Sequence, residues 1–192
     1  MKNRWKVALA GLLVIVAALG FQGDLRAAAT GLTANVTVTA NGTYSSTVDL
    51  ATAAAQFNLS KTMALTFGGG ASQSTLVFTD TRSTAIAEDL DVNAGALTDA
   101  FGNVFTLTDM KALVVCASSA NTTNVLLGGD AASVPFLDTA ATTTTIKPGG
   151  CRVFTDPSAT GIVVTAATGD IIQVAPSAGT VAYDILIIGA AS

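Results

Sequence analysis

The densest polar constellation in this 192-residue chain is Glu88-Asp89-Leu90-Asp91-Val92-Asn93. Asp89, Asp91 and Asn93 recur at every second position, so an extended segment projects their oxygens to one side. Together with Glu88 they are the residues suited to calcium, a hard cation that takes roughly six to eight oxygen ligands. Counted from Asp89, the helix-loop-helix calcium pattern wants Gly in the sixth place and an acid in the twelfth, where the chain has Ala94 and Ala100. A solvated acidic loop is the competing reading. No cofactor other than calcium is implied.

Other chemistry is thinly supplied. The chain contains no histidine, which removes the usual activator of a nucleophilic Ser or Cys. It also has no Gly-x-Ser-x-Gly elbow, no phosphate-cradling Gly-x-x-x-x-Gly-Lys and no Cys-x-x-Cys. Gly68-Gly69-Gly70 lacks a following Lys and reads as a loop between strands. A hydrolase reading survives only if carboxylates such as Asp80, Glu88 and Asp89 converge in a cleft. The expectation is therefore no enzyme and no small-molecule substrate. Two cysteines, Cys116 and Cys151, are expected to form a disulfide in an exported protein.

The elements that must hold these residues read as strands. Thr, Val, Ala and Gly dominate and Glu occurs once, so the usual surface residues of amphipathic helices are missing. Leu32 to Thr39 alternates strictly, with Val36 and Val38 on one side and Thr37 and Thr39 on the other. Asn41-Gly42 then reads as a hairpin turn leading into Thr43 to Leu50. Ten further strands are expected between Thr62 and Ile188, separated by Gly and Pro turn signals. Short helical turns are expected only at Thr52 to Phe57 and Ala85 to Leu90. The run Ile185 to Ile188 is apolar on both faces, as in a central strand or a subunit interface. Most Phe residues read as core, and Tyr44 is the one candidate aromatic surface contact.

The N-terminus carries Lys2, Arg4 and Lys6, then an uncharged stretch from Val7 to Phe21, then Ala27-Ala28-Ala29. That is the pattern of a signal peptide cleaved after Ala29, with a retained anchor as the alternative and the only expected membrane contact. Residues 30–192 are then expected to be one β-sandwich domain. Without residues 1–29 the chain has five basic and twelve acidic groups, net −7. Lys61, Arg82, Lys111, Lys147 and Arg152 stand singly on what reads as a sparsely charged surface, and nucleic acid is not an expected partner.

Phe78-Thr79-Asp80-Thr81-Arg82, Leu97 to Gly102, Lys111 to Val115, Lys147-Pro148-Gly149-Gly150, Thr168-Gly169-Asp170 and Tyr183 to Gly189 are together similar to a group of small, mostly uncharacterised β-rich proteins encoded among phage structural genes. The resemblance covers the chain from about Thr62 to the C-terminus and carries no catalytic residues. It implies a jelly-roll-like antiparallel sandwich and a virion surface or decoration role in an oligomer. The leader and the cysteine pair point instead to the cell exterior.

The two readings meet in a non-catalytic, self-associating protein: an extracellular surface filament or layer subunit, or a virion surface protein. Its expected partner is its own kind. The assembly surfaces are expected at Val36 and Val38, through strand pairing with a neighbour, and at Ile185 and Ile187. A secreted glycan- or receptor-binding module is the alternative, carried by loops around Glu88 to Asn93 and Asn121 to Ser133.

Overall fold

The computed structural model describes residues 30–48 and 51–191, so the expected leader at 1–29 lies outside the described residues. These residues form strands, bends and turns, with no helix among them. Two long strands, β1 (Thr33–Val48) and β2 (Ala51–Phe67), and the two-residue β3 (Gln73–Ser74) make one three-stranded sheet in the order β1-β2-β3. The body follows with β4 (Leu76–Thr84), β5 (Glu88–Asp91), β6 (Leu97–Thr98), β7 (Val104–Phe105), β8 (Asp109–Ala117) and β9 (Val125–Gly128). It closes with β10 (Thr143–Ile146), β11 (Cys151–Thr155), β12 (Ile162–Val163), β13 (Ile171–Pro176) and β14 (Val181–Ala190).

Two four-stranded orders organise the body: β11-β8-β14-β4 in a first sheet, where β12 also pairs with β8, and β10-β9-β13-β5 in a second. All these pairs are antiparallel. The pairing is nested. β4 pairs with β14, β5 with β13, β8 with β11 and β9 with β10, as in one long folded ribbon that has then been rolled up. The two sheets share a core. Phe78, Leu113, Val115, Tyr183, Ile185 and Ile187 from the first sheet meet Leu90, Val125, Leu127, Ile146, Ile172 and Val174 from the second. Alternation explains the choice of residues, because every second side chain of a half-buried strand faces inward.

β14 is apolar on both faces for a structural reason. Ile185 and Ile187 point into the sandwich core, whereas Ile188 forms a second buried cluster with Ala112 and Leu65, packed round by Leu32, Ala34, Val36, Met63, Val77 and Leu186. The base of the β1–β2 hairpin thus lies on the outer face of the first sheet as a third layer. β3 ties it down: the Ser74 hydroxyl and the Thr75 amide both donate to the carbonyl of Gly189.

Three local expectations are corrected here. The hairpin does not turn at Asn41-Gly42; β1 runs straight through, with Asn41 opposite Asn58 and Gly42 opposite Phe57. Gly42 instead accommodates the Phe57 ring, since a Cβ there would stand 2.6 Å from the ring's Cζ; a glycine inside a strand often marks such close approach. Thr52 to Phe57 is strand rather than helical turn, and Ala85 to Leu90 leads into β5. In both places pairing to a neighbouring strand overrides local propensity.

Candidate functional site

The acidic constellation is dispersed by the strand that carries it. Glu88 accepts hydrogen bonds from Arg82 Nε (2.8 Å) and from the buried Tyr183 hydroxyl (2.8 Å). Asp89, on the solvent side, accepts from Gln173 Nε2 at 2.8 Å, as the β5–β13 register places them opposite. Asp91 Oδ1 accepts from the amides of Asn93 and Ala94 and closes the turn after β5. Asn93 donates to the Leu107 carbonyl at 2.6 Å. Each group is committed to a different protein partner, and among the described residues no three His, Cys, Asp or Glu side chains are grouped to hold a metal ion. The calcium expectation is corrected accordingly.

Glu88 is the hub of a structural network at the sheet edge. Arg82 bridges Glu88 and Asp80, at 2.5 and 2.8 Å, so one guanidinium is shared between the two carboxylates and offsets half of their charge. The hydrogen bond to Glu88 holds Arg82 in its charged form more firmly than usual. Burial and the bond to Glu88 push the Tyr183 phenol above its ordinary range. Asp89 lies outside this network, against Gln173.

Lys111 is not a surface cation. Its side chain is fully buried, its ammonium donates to the carbonyls of Ser158 (2.8 Å) and Ala159 (2.9 Å), and it stands 2.9 Å from Asp109 Oδ1. It anchors the loop after β11 to the sheet. A lysine between Met110 and the apolar run Ala112-Leu113-Val114-Val115 is the sequence signal for this, because such a position points at the core and demands partners.

Cys116 and Cys151 face each other across β8 and β11 and are joined by a disulfide. The loops that were to carry a binding module are also tied into the fold. Asn121 exchanges two hydrogen bonds of 2.8 Å with the main chain of Ala182, and β9 is largely buried.

What remains uncommitted is the hairpin beyond its base. Even-numbered residues of β1 (Ala34, Val36, Val38, Ala40, Gly42, Tyr44) share a face with Leu65, Met63, Lys61, Leu59, Phe57 and Ala55 of β2. The opposite face carries Asn35, Thr37, Thr39, Asn41 and Thr43 opposite Ala64, Thr62, Ser60, Asn58 and Gln56. One face is apolar and the other polar along nearly the whole ribbon. At the base, Leu32 lines a cleft with Val77, Thr79 and Phe101, and further along Val36 and Val38 line another with Val153 and Thr155. The ribbon therefore crosses the first sheet from β4 to the outermost strand β11. Past that edge the remaining paired residues overhang for roughly 30 Å at a strand's ordinary rise.

The apolar face continues onto the overhang, where it is open. Tyr44 is 74% exposed, Phe57 54% and Leu59 53%, with Val38 at 49% where the overhang begins. Tyr44 is thus on the surface, and Phe57 belongs with it there rather than in the core; Phe67 and Phe101 are exposed too. Of the four residues expected at an assembly surface, Val36 and Val38 lie on this face. Ile185 and Ile187 are 2% and 0% exposed between the two sheets, so these two side chains offer no surface to a second chain, and that expectation is corrected. No family model, curated protein or solved structure matches this chain.

Proposed function

We propose that this protein is a non-catalytic, self-assembling structural subunit built on a jelly roll, acting outside the cell in a surface filament or layer, or on the surface of a virion. The nested pairing of β4 with β14, β5 with β13, β8 with β11 and β9 with β10 supports the jelly roll, an eight-strand double sheet of this rolled kind. The cross-strand disulfide fits an oxidising exterior.

The observation that carries the assembly role is the overhanging apolar face of the hairpin. A two-stranded ribbon is marginal by itself in water, and an open apolar strand face is a standing template for association. A neighbouring subunit covers that face and supplies the missing support. Light scattering on protein purified from its host tests this: the wild type forms multimers of defined size, and Phe57→Ser with Leu59→Ser reduces them to monomer. A wild-type chain that stays monomeric at every concentration overturns the proposal.

A further inference from the structure

We infer that the occupant of the arm is a second copy of this chain, joined through the free edge of β1 in a two-fold, antiparallel strand pairing; this rests on the self-assembly reading. Among the described residues β1 is bonded to β2 alone in the three-stranded sheet, and no other described strand takes up its second edge along its 16 residues. The outward backbone groups can be assigned. The hydroxyls of Thr37 and Thr62 approach to 2.9 Å and those of Thr39 and Ser60 to 3.3 Å, the close side-chain spacing of pairs that do not exchange main-chain hydrogen bonds. The amides and carbonyls of odd-numbered β1 residues therefore point away from β2, toward a partner.

A surface suited to the partner's arm lies beside that edge. β3 and Gly189 flank the hairpin base on its β2 side, which leaves the β1 side facing the next row of the first sheet's outer face. That row is Leu186, its register partner Val114, and Val114's partner Val153, all partly exposed. In an antiparallel pairing centred near Ala40 and Asn41, the outer half of each β1 lies along the inner half of the other. Tyr44 of the second copy then comes down over Val153 and its neighbours. The same operation serves both copies, as an isologous interface requires. Lys61 is the one charged side chain among the described residues of the two strands, so two identical ribbons meet without strong repulsion.

The test uses the protein as its host produces it. Asn41→Pro removes one outward amide while leaving the β2 ladder intact, as edge prolines do, and self-association is expected to weaken roughly tenfold or more. Asn41→Cys is expected to cross-link two copies on mild oxidation, and Ser60→Cys, equally exposed but on the far strand, is not. An Asn41→Pro protein as multimeric as wild type, or cross-linking through Ser60→Cys in place of Asn41→Cys, overturns the β1 interface and leaves the assembly reading standing. A wild-type monomer overturns both, and one that floats with phosphatidylcholine vesicles assigns the apolar face to lipid.

Discussion

Two halves of one hairpin carry the same alternation and meet different fates. At the base, Leu65 is 1% exposed against Ile188 and Ala112 of the first sheet. Farther out, Leu59 and Phe57 on the same face are more than half exposed. Apart from Lys61, opposite Val38 where the body ends, the face stays apolar past that point while its cover is lost. A ribbon meant to be solvated would carry polar side chains on both faces; in the proposed assembly a neighbouring copy supplies the cover that the described residues do not.

The largest effect that would break this comparison lies at the base. Leu65→Ala is expected to cost about 2–5 kcal/mol in denaturant unfolding, the range for truncating a buried leucine. Leu59→Ser in the outer half is expected to leave monomer stability within about 0.5 kcal/mol, as exposed substitutions do, while lowering the multimer fraction. Equal losses of stability at both sites would mean that the outer half is covered within the same chain.

Next in size is the disulfide, which holds β11, the strand the arm crosses as it leaves the body. Cys116→Ala with Cys151→Ala is expected to lower stability by about 3–4 kcal/mol, the chain-entropy value for a loop of this length, in denaturation without reductant. Adding reductant to the wild type should bring its unfolding curve to that of the variant. A wild type indifferent to reductant would place the strength of that edge elsewhere.

The sheet edge at β4 and β5 gives a smaller and pH-dependent effect. Because the Tyr183 phenol is pushed up by burial and by its bond to Glu88, its neutral form is favoured in the folded chain. The resulting stability is fully present below the ordinary phenol value and is lost as pH rises above about 10. Thermal unfolding across pH 8 to 12 should show that decline, and Tyr183→Phe should flatten it while costing about 1.5–3 kcal/mol at neutral pH, the worth of a hydrogen bond to a charged group. An unchanged alkaline slope in the variant would assign the decline to other groups.

Gly42→Val sharpens the account of the outer half with the smallest effect. The added side chain must displace the Phe57 ring, which a Cβ would approach to 2.6 Å. Since that ring is exposed and free to swing away, monomer stability should change by less than about 1 kcal/mol. Assembly should weaken measurably in light scattering, because the contour of the apolar face is altered.

How far the sequence disclosed this molecule follows the range of the interactions. The alternation of Leu32 to Thr39, the strand pattern of most of the body and the doubly apolar β14 were legible, since each is written in neighbouring residues. The hairpin turn was misplaced because Asn41-Gly42 has the chemistry of a turn, while the glycine's task depends on Phe57, fifteen positions away. β5 was read as an acidic loop, since Glu88, Asp89 and Asp91 find their place only through Arg82, Tyr183 and Gln173. The apolar face of the hairpin was half legible: Val36, which packs at the base, and Val38 show in their alternation, but Phe57 and Leu59 sit in β2, where alanines hid the strand. Ile185 and Ile187 were misassigned because an apolar run looks the same whether a sheet of its own chain or of another buries it.

Hydrogen exchange along the arm tests the central claim most directly, measured on the assembled protein and on the same protein diluted to monomer. If a second copy covers the outer half, peptides spanning Val38 to Ser46 exchange slowly in the assembly and rapidly in the monomer, while the base around Leu65 stays protected in both. Equal, rapid exchange of the outer half in both states would contradict the claim and leave the arm without an assembly role.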